Sequence, residues 1–276
     1  VTVQLPDGAS VPSLGQGTWK MGDGRERAAE IAALRLGLDL GLTLIDTAEM
    51  YGDGASESLV GEAIAGRRDE VFVVSKVLPS NATRRGIPAA CARSLKRLDC
   101  GRIDLYLLHW RGGEDLGDVV EAFERLRAAG DIARWGVSNF DVDDMEELAG
   151  LAMGGACAAN QVLYNPQARG IEFDLLPWCV GRGIPVMAYS PVGQGGALLR
   201  NKALVEVAAR HGVETAAIAI AWSLRKPGMI SIPKAGDAAH VAENARALSV
   251  VLSEADLAAI DGAFAPPRRA QRLEML

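Results

Sequence analysis

Eight short apolar runs punctuate this chain, each followed by a stretch with the composition of a helix, and that alternation constrains the fold more than any other feature. The runs are SLG (13–15), LTLI (42–45), VFVV (71–74), IDLYLL (103–108), RWGV (134–137), AANQV (158–162), PVMA (185–188) and MISI (229–232). Amphipathic or alanine-rich stretches follow at 25–40, 56–65, 87–98, 115–129, 141–150, 173–182, 203–225 and 238–247, with a break at Gly212. Near-continuous apolar strands are expected where a parallel sheet is covered by helices on its faces. Strict alternation over 276 residues predicts an α/β fold, a single (β/α)8 TIM barrel in preference to an open doubly wound sheet. Val1–Leu5 and Ser10–Val11 flank the turn-like Pro6-Asp7-Gly8 and predict an N-terminal β-hairpin plugging the barrel bottom. Ser253 in LSEAD (252–256) reads as the N-cap of a C-terminal extra helix, with Pro266 and Pro267 beyond it. No linker, low-complexity tract or repeat divides the sequence, so residues 1–276 are expected to form one domain.

Composition narrows the class of function. A net charge of −6 argues against general attraction to nucleic acid, while leaving room for a local basic pocket. Cys91, Cys100, Cys157 and Cys179 form no C-x-x-C pair and read as reduced thiols of a cytoplasmic protein. The N-terminal VTVQLPDG has no signal-peptide pattern, and no apolar run reaches the length of a membrane span. His211 and His240 belong to no metal-ligand constellation, so no metal is expected.

In a barrel of this kind chemistry collects at the carboxyl ends of the strands. Asp46 ends the second apolar run, Ser75-Lys76 the third, His109-Trp110 the fourth and Ser138-Asn139 the fifth. Gln161 ends the sixth, Tyr189-Ser190 the seventh, and Lys234 follows the eighth. Taken singly, an aspartate after a strand is often a turn cap and a lone histidine a satisfied core residue. Polar groups placed regularly at one rim point instead to a site. Burial of Asp46 and Lys76 is costly unless they pair with each other. A lysine beside Tyr51 favours the phenolate and is expected to lower its pKa, making Tyr51 a usable general acid toward a carbonyl oxygen. His109 supplies a further hydrogen bond to position that carbonyl. Without a Ser–His or Cys–His pairing in motif context, hydride from a cofactor is the attractive partner for the protonation.

These residues, in this order, resemble the aldo-keto reductase superfamily. The matching stretches are GQGTWK (15–20), LIDTAEMYG (44–52), VSK (74–76), DLYLLHW (104–110), WGVSNF (135–140), NQVLYN (160–165), AYSP (188–191) and IPK (232–234), with Glu243-Asn244 after them. In character the chain is similar to small bacterial reductases of methylglyoxal and related aldehydes. The resemblance implies a catalytic tetrad of Asp46, Tyr51, Lys76 and His109, with Tyr51 protonating the carbonyl oxygen as reduced nicotinamide delivers hydride to its carbon. It implies that Thr18, Trp19 and Lys20 border the cofactor, that Ser138, Asn139 and Gln161 bind its carboxamide, and that Tyr189 stacks on its ring. Ser190, Pro191, Val192 and Gln194 would follow the pyrophosphate, and Pro233, Lys234, His240, Glu243 and Asn244 the adenosine end. Trp19 and Trp110 would line a substrate pocket with Tyr51 and His109. The chain has no G-x-G-x-x-G and no phosphate-binding P-loop, as this family implies.

Two departures bear on the cofactor. Many family members carry an arginine six residues after the adenosine-site lysine and a serine or threonine directly after it; here these are His240 and Ala235. Lys234 keeps a cation there, so NADP(H) is the expected cofactor, with NAD(H) left open. The short segments RGGE (111–114) and Pro266–Leu276 lead us to expect an open, shallow pocket for small aldehydes or ketones, in a monomer. Arg111 is either an attractor of anionic substrates or a solvated loop arginine. GQGG (193–196) is either a flexible loop or a flap over the cofactor. A Schiff-base aldolase using Lys76 is the second reading, disfavoured because pairing with Asp46 keeps the amine protonated. A nicotinamide-binding regulatory subunit without turnover is the third.

Overall fold

The computed structural model describes residues 1–276 in full. Its strands are β1 (Thr2–Gln4), β2 (Ser10–Pro12), β3 (Gln16–Gly17), β4 (Leu44–Asp46), β5 (Phe72–Val77), β6 (Leu105–Leu108), β7 (Trp135–Ser138), β8 (Asn160–Leu163), β9 (Val186–Tyr189) and β10 (Met229–Ile232). The helices are α1 (Arg27–Asp39), α2 (Ala55–Ile64), α3 (Gly86–Leu98), α4 (Leu116–Ala129), α5 (Val142–Ala149), α6 (Leu175–Val180), α7 (Lys202–His211), α8 (Thr215–Ser223), α9 (Ala238–Ala245) and α10 (Glu254–Ala263). Strands β3 to β10 form an eight-stranded parallel sheet in sequence order. Parallel bridges Leu14–Ser231 and Gly17–Lys234 join its two edges into a barrel.

The first barrel strand departs from the expected SLG: its ladder lies at Gln16–Gly17, and Leu14 makes only the isolated bridge. Close backbone approach explains the shift. A Cβ on Gly15 would lie 2.6 Å from Leu44 Cδ2, and one on Gly17 would lie 2.7 Å from the Ile232 carbonyl oxygen. Glycine therefore lets this short strand close the ring without an apolar run.

Strand periodicity of two sends alternate side chains to opposite faces. On the inner face Leu44, Val74, Leu105, Leu107, Ala159, Met187 and Ile230 form one cluster with Val3, Leu5 and Val11 of the N-terminal hairpin. That hairpin pairs antiparallel in the register Thr2–Pro12, Val3–Val11 and Gln4–Ser10, and its apolar face stops the bottom of the barrel. The outer faces of the strands pack under the helices in a larger core containing Val73, Tyr106, Phe123 and Trp135. Burying such side chains contributes roughly 1.5–3 kcal/mol each. Local signals also set the helix ends. Ser253 caps α10 through a capping box with Asp256, and Gly212, at φ 63°, ends α7 and separates it from α8. No helix is long and apolar enough to cross a membrane.

Candidate active site

The inward register that buries Leu44 places Asp46 two residues further up, and it likewise carries Val74 to Lys76, Leu107 to His109, Ala159 to Gln161 and Met187 to Tyr189. At the upper rim Lys76 is completely buried. Its Nζ donates to Asp46 Oδ2 at 2.8 Å, to the Thr47 carbonyl at 2.8 Å and to Tyr51 Oη at 3.2 Å. Gln161 Nε2 donates to the other oxygen of Asp46 at 2.7 Å, so both carboxylate oxygens are engaged. Tyr51 enters from the turn after β4, where Gly52, Asp53 and Gly54 all take positive φ and fold the chain back over the rim. The rings of Tyr51 and His109 meet edge to face at 5.8 Å, and His109 lies 5.0 Å from Trp110.

The electrostatics differ from the expectation in one respect. Burial raises the Tyr51 pKa above the ordinary phenol value; Lys76 pulls it down, Asp46 pushes it up, and burial prevails. Tyr51 is therefore a firmly protonated donor, and the expected net lowering by Lys76 does not occur. Burial also opposes the charge on Lys76, but Asp46 and Tyr51 outweigh it and hold the ammonium above the usual lysine range. Burial, with a smaller push from Lys76, lowers His109 to about 3. The imidazole is thus neutral at physiological pH. Its Nδ1 is buried without a hydrogen-bond partner. This leaves Nε2 as the nitrogen available to the cavity.

Above the tetrad opens a cavity of about 490 Å³. Its walls include Thr18, Trp19, Lys20, Asp46, Tyr51, His109 and Trp110. Ser138, Asn139, Gln161, Tyr189, Ser190, Pro191, Val192 and Gln194 continue it, and Lys234, His240 and Asn244 line it further along. Of six non-glycine residues with positive φ, four are Lys20, Asn139, Ser190 and Gln194 on this wall. Such backbone is costly for side-chain-bearing residues and collects where a surface must be shaped for a ligand. Asn139 is fixed from three sides: its Nδ2 donates to the His109 carbonyl and to Ser138 Oγ, and its Oδ1 accepts from Tyr189 Oη at 2.9 Å.

The donor set suits a ligand that is anionic at one end. Lys20, stacked 4.2 Å over the Trp19 ring, and the exposed Lys234 both line the cavity and neither has a carboxylate partner. In a chain of net charge −6, two unpaired lysines in one cavity fit the phosphates of a nicotinamide dinucleotide. His240 also lines it, but its Nδ1 faces Asp237 Oδ2 at 2.5 Å.

Lys76, Pro233 and Glu243 lie outside the cavity wall. Lys76 sits behind Asp46 and Tyr51, the Pro233 carbonyl accepts from Gly17 N in the barrel seam, and Glu243 accepts from Glu214 N to tie α9 to α8. Arg111 is turned to Glu147 and to the carbonyls of Gly112 and Glu114. Leu199, Ala216, Met275 and Leu276 line the cavity without having stood out in the sequence. The last two amend the expectation of an open pocket: the segment after Pro267, though short, reaches back to the cavity and adds an apolar wall.

An eight-stranded parallel barrel with a Lys–Asp pair, a protonated phenol and a neutral imidazole at its carboxyl rim defines a class of barrel oxidoreductase. The sequence model of the Aldo/keto reductase family matches residues 13–265, and the chain belongs to that family. It is 50% identical to "Methylglyoxal reductase YeaE" of Escherichia coli (strain K12), an alignment covering 99% of this chain and 98% of that protein. It is 35% identical to "Glyoxal reductase" of Bacillus subtilis (strain 168), covering 94% and 91%. An aldo/keto reductase from Klebsiella pneumoniae, crystallised with NADP and acetate, superimposes with a TM-score of 0.97 at 49% identity over 100% of this chain and 99% of that one.

Proposed function

We propose that the protein is an NADPH-dependent reductase of small aldehydes and ketones of the methylglyoxal type, converting them to alcohols, with Tyr51 as general acid. The observation that carries this reading is the protonated Tyr51 hydroxyl, 3.2 Å from Lys76 Nζ and beside His109 in one cavity. Reduced nicotinamide, when bound, supplies hydride to the carbonyl carbon. Ser138, Asn139 and Gln161 would hold its carboxamide, Tyr189 its ring, Ser190 to Gln194 its pyrophosphate, and Lys234, His240 and Asn244 the adenosine end. Lys20 and Lys234 favour the extra phosphate of NADPH. Tyr51 gives its proton to the carbonyl oxygen, and the Lys76 ammonium stabilises the phenolate left behind. Neutral His109 orients the carbonyl by donating from Nε2 without competing for the proton. Asp46 keeps Lys76 charged and in place. Trp19, Trp110 and Met50 provide apolar contact for a small substrate.

We read residues 1–276 as one domain acting as a monomer in the cytoplasm. Four buried free cysteines agree with a reducing compartment.

Loss of nicotinamide absorbance with methylglyoxal and a simple aromatic aldehyde tests the proposal, comparing NADPH with NADH and wild type with Tyr51→Phe. The expected result is faster turnover with NADPH and a loss of roughly 10²–10⁴-fold in kcat in the variant, with cofactor binding kept. A variant as active as wild type removes Tyr51 from the mechanism.

A further inference from the structure

Two carboxylates bracket Tyr51 in the sequence, Glu49 and Glu57, and both are buried without belonging to the tetrad. Each reaches across to the strand that carries Lys76 or to the residues just beyond it. Glu49 Oε1 accepts from Leu78 N at 2.8 Å and from Asn81 Nδ2 at 2.9 Å, while its own backbone N donates to the Lys76 carbonyl. Its second oxygen faces Arg93 at 3.4 Å. Glu57 Oε1 accepts from Ser75 Oγ at 2.5 Å, and its Oε2 accepts from Arg97 Nε at 2.6 Å. Ser75 and Leu78 stand on either side of Lys76 in the chain, so the two attachments straddle it.

Between these attachments the chain is poorly suited to hold its own shape. Gly52, Asp53 and Gly54 are consecutive left-handed residues at φ 57°, 52° and 91°. Such a turn persists only where its surroundings determine it. Arg97 supplies part of those surroundings, because a Cβ on Gly54 would fall 2.5 Å from Arg97 Cδ and Nε. The turn therefore rests on the same arginine that Glu57 grips. A buried carboxylate is costly unless each oxygen is paired, and that penalty makes both attachments directional.

We propose that Glu49 and Glu57 form a two-point clamp that holds the turn carrying Tyr51 over Lys76, and that both are positioning residues for proton transfer. The clamp works through Tyr51 and touches neither substrate nor cofactor. This assignment rests on Tyr51 as the proton donor, and its test separates the two ideas.

The test is a double-mutant cycle. Glu57→Gln and Glu49→Gln are each made in wild type and in Tyr51→Phe, and kcat and KM for methylglyoxal are measured at saturating NADPH. Glu57→Gln keeps shape and removes the charge that grips Arg97. Each substitution is expected to lower kcat roughly tenfold with little change in KM when Tyr51 is present, and to cost nothing further once the phenol is gone. Ser75→Ala, which removes one hydroxyl, gives a smaller change of the same pattern and replaces Glu57→Gln should that variant not fold. Equal losses with and without the phenol overturn the clamp, as does full kcat in the Tyr51 background. A Tyr51→Phe protein as active as wild type instead refutes the proton-donor reading itself.

Discussion

The lower and upper ends of the barrel interior are made by the same strands in the same inward register, and they carry opposite chemistry. Below, Leu44, Val74, Leu107 and Met187 lie with the hairpin residues Val3, Leu5 and Val11 in an apolar layer. Above, one step of two residues along the same strands replaces them with Asp46, Lys76, His109 and Tyr189. The lower layer is favoured by removal from water and needs no directional partner. The upper layer bears desolvation penalties that are offset only where partners are in place, such as both oxygens of Asp46. Stability and reactivity are thus graded along the barrel axis, and rigid strands let the first hold the second in position.

The contrast is attacked most severely by Lys76→Met, which strands Asp46 with Gln161 as its remaining side-chain partner. A loss of about 3–5 kcal/mol is expected in urea unfolding, together with loss of turnover. Adding Asp46→Asn should restore part of the stability and none of the reduction. If Lys76→Met unfolds at the wild-type urea concentration, the upper layer is not held by that pair.

Leu105→Ala probes the lower layer. It should cost about 2–5 kcal/mol and leave kcat per folded molecule within about twofold, since Leu105 lies below the tetrad. A large drop in kcat with unchanged unfolding would dissolve the division between the layers.

The smallest expected effect sharpens the contrast through pH. The native imidazole of His109 is depressed to about 3, so between that value and the ordinary histidine pKa the unfolded chain binds a proton that the native one refuses. His109 therefore contributes a loss of stability as pH falls through that window, about 2 kcal/mol from pH 7 to 5. Compared with His109→Gln by thermal unfolding at pH 7 and pH 5, the wild-type advantage should shrink by about that amount. An advantage that stays constant means the buried neutral imidazole is not an acid-sensitive element.

Most of the barrel was legible because a strand buried on both faces must be apolar nearly throughout, and seven of its eight strands overlap such runs. The first was misplaced because Gly15 and Gly17 close the barrel by having no side chain, a property that apolar runs do not signal. Asp46, Lys76, His109, Gln161 and Tyr189 could be found as polar ends of apolar runs. Tyr51 lies on a turn and ends no apolar run; its role was reached from the acidity that a neighbouring lysine would give a phenol, and the resemblance implied the same role. The direction of its pKa shift was missed, since Lys76 is visible in the sequence while the depth of burial is a tertiary property. Leu199, Ala216, Met275 and Leu276 carried no local signal: a leucine or alanine reaches this cavity only through the docking of distant segments. Glu49 and Glu57 carried no local signal either, because their partners sit on or just beyond another strand and on another helix.

The seam of the barrel has a consequence for how the protein comes into being. Leu14 pairs with Ser231 and Gly17 with Lys234, so the first strand finds its second neighbour only in the last one. During translation residues 13–17 leave the ribosome long before residues 229–234 exist, and until then β3 keeps an unpaired edge. Thr18 and Lys20, just beyond that edge, and Lys234, at its late partner, belong to one cavity wall. A nascent chain therefore cannot assemble the whole binding surface piecemeal. The part of it that joins Thr18 and Lys20 to Lys234 forms only when the barrel is sealed.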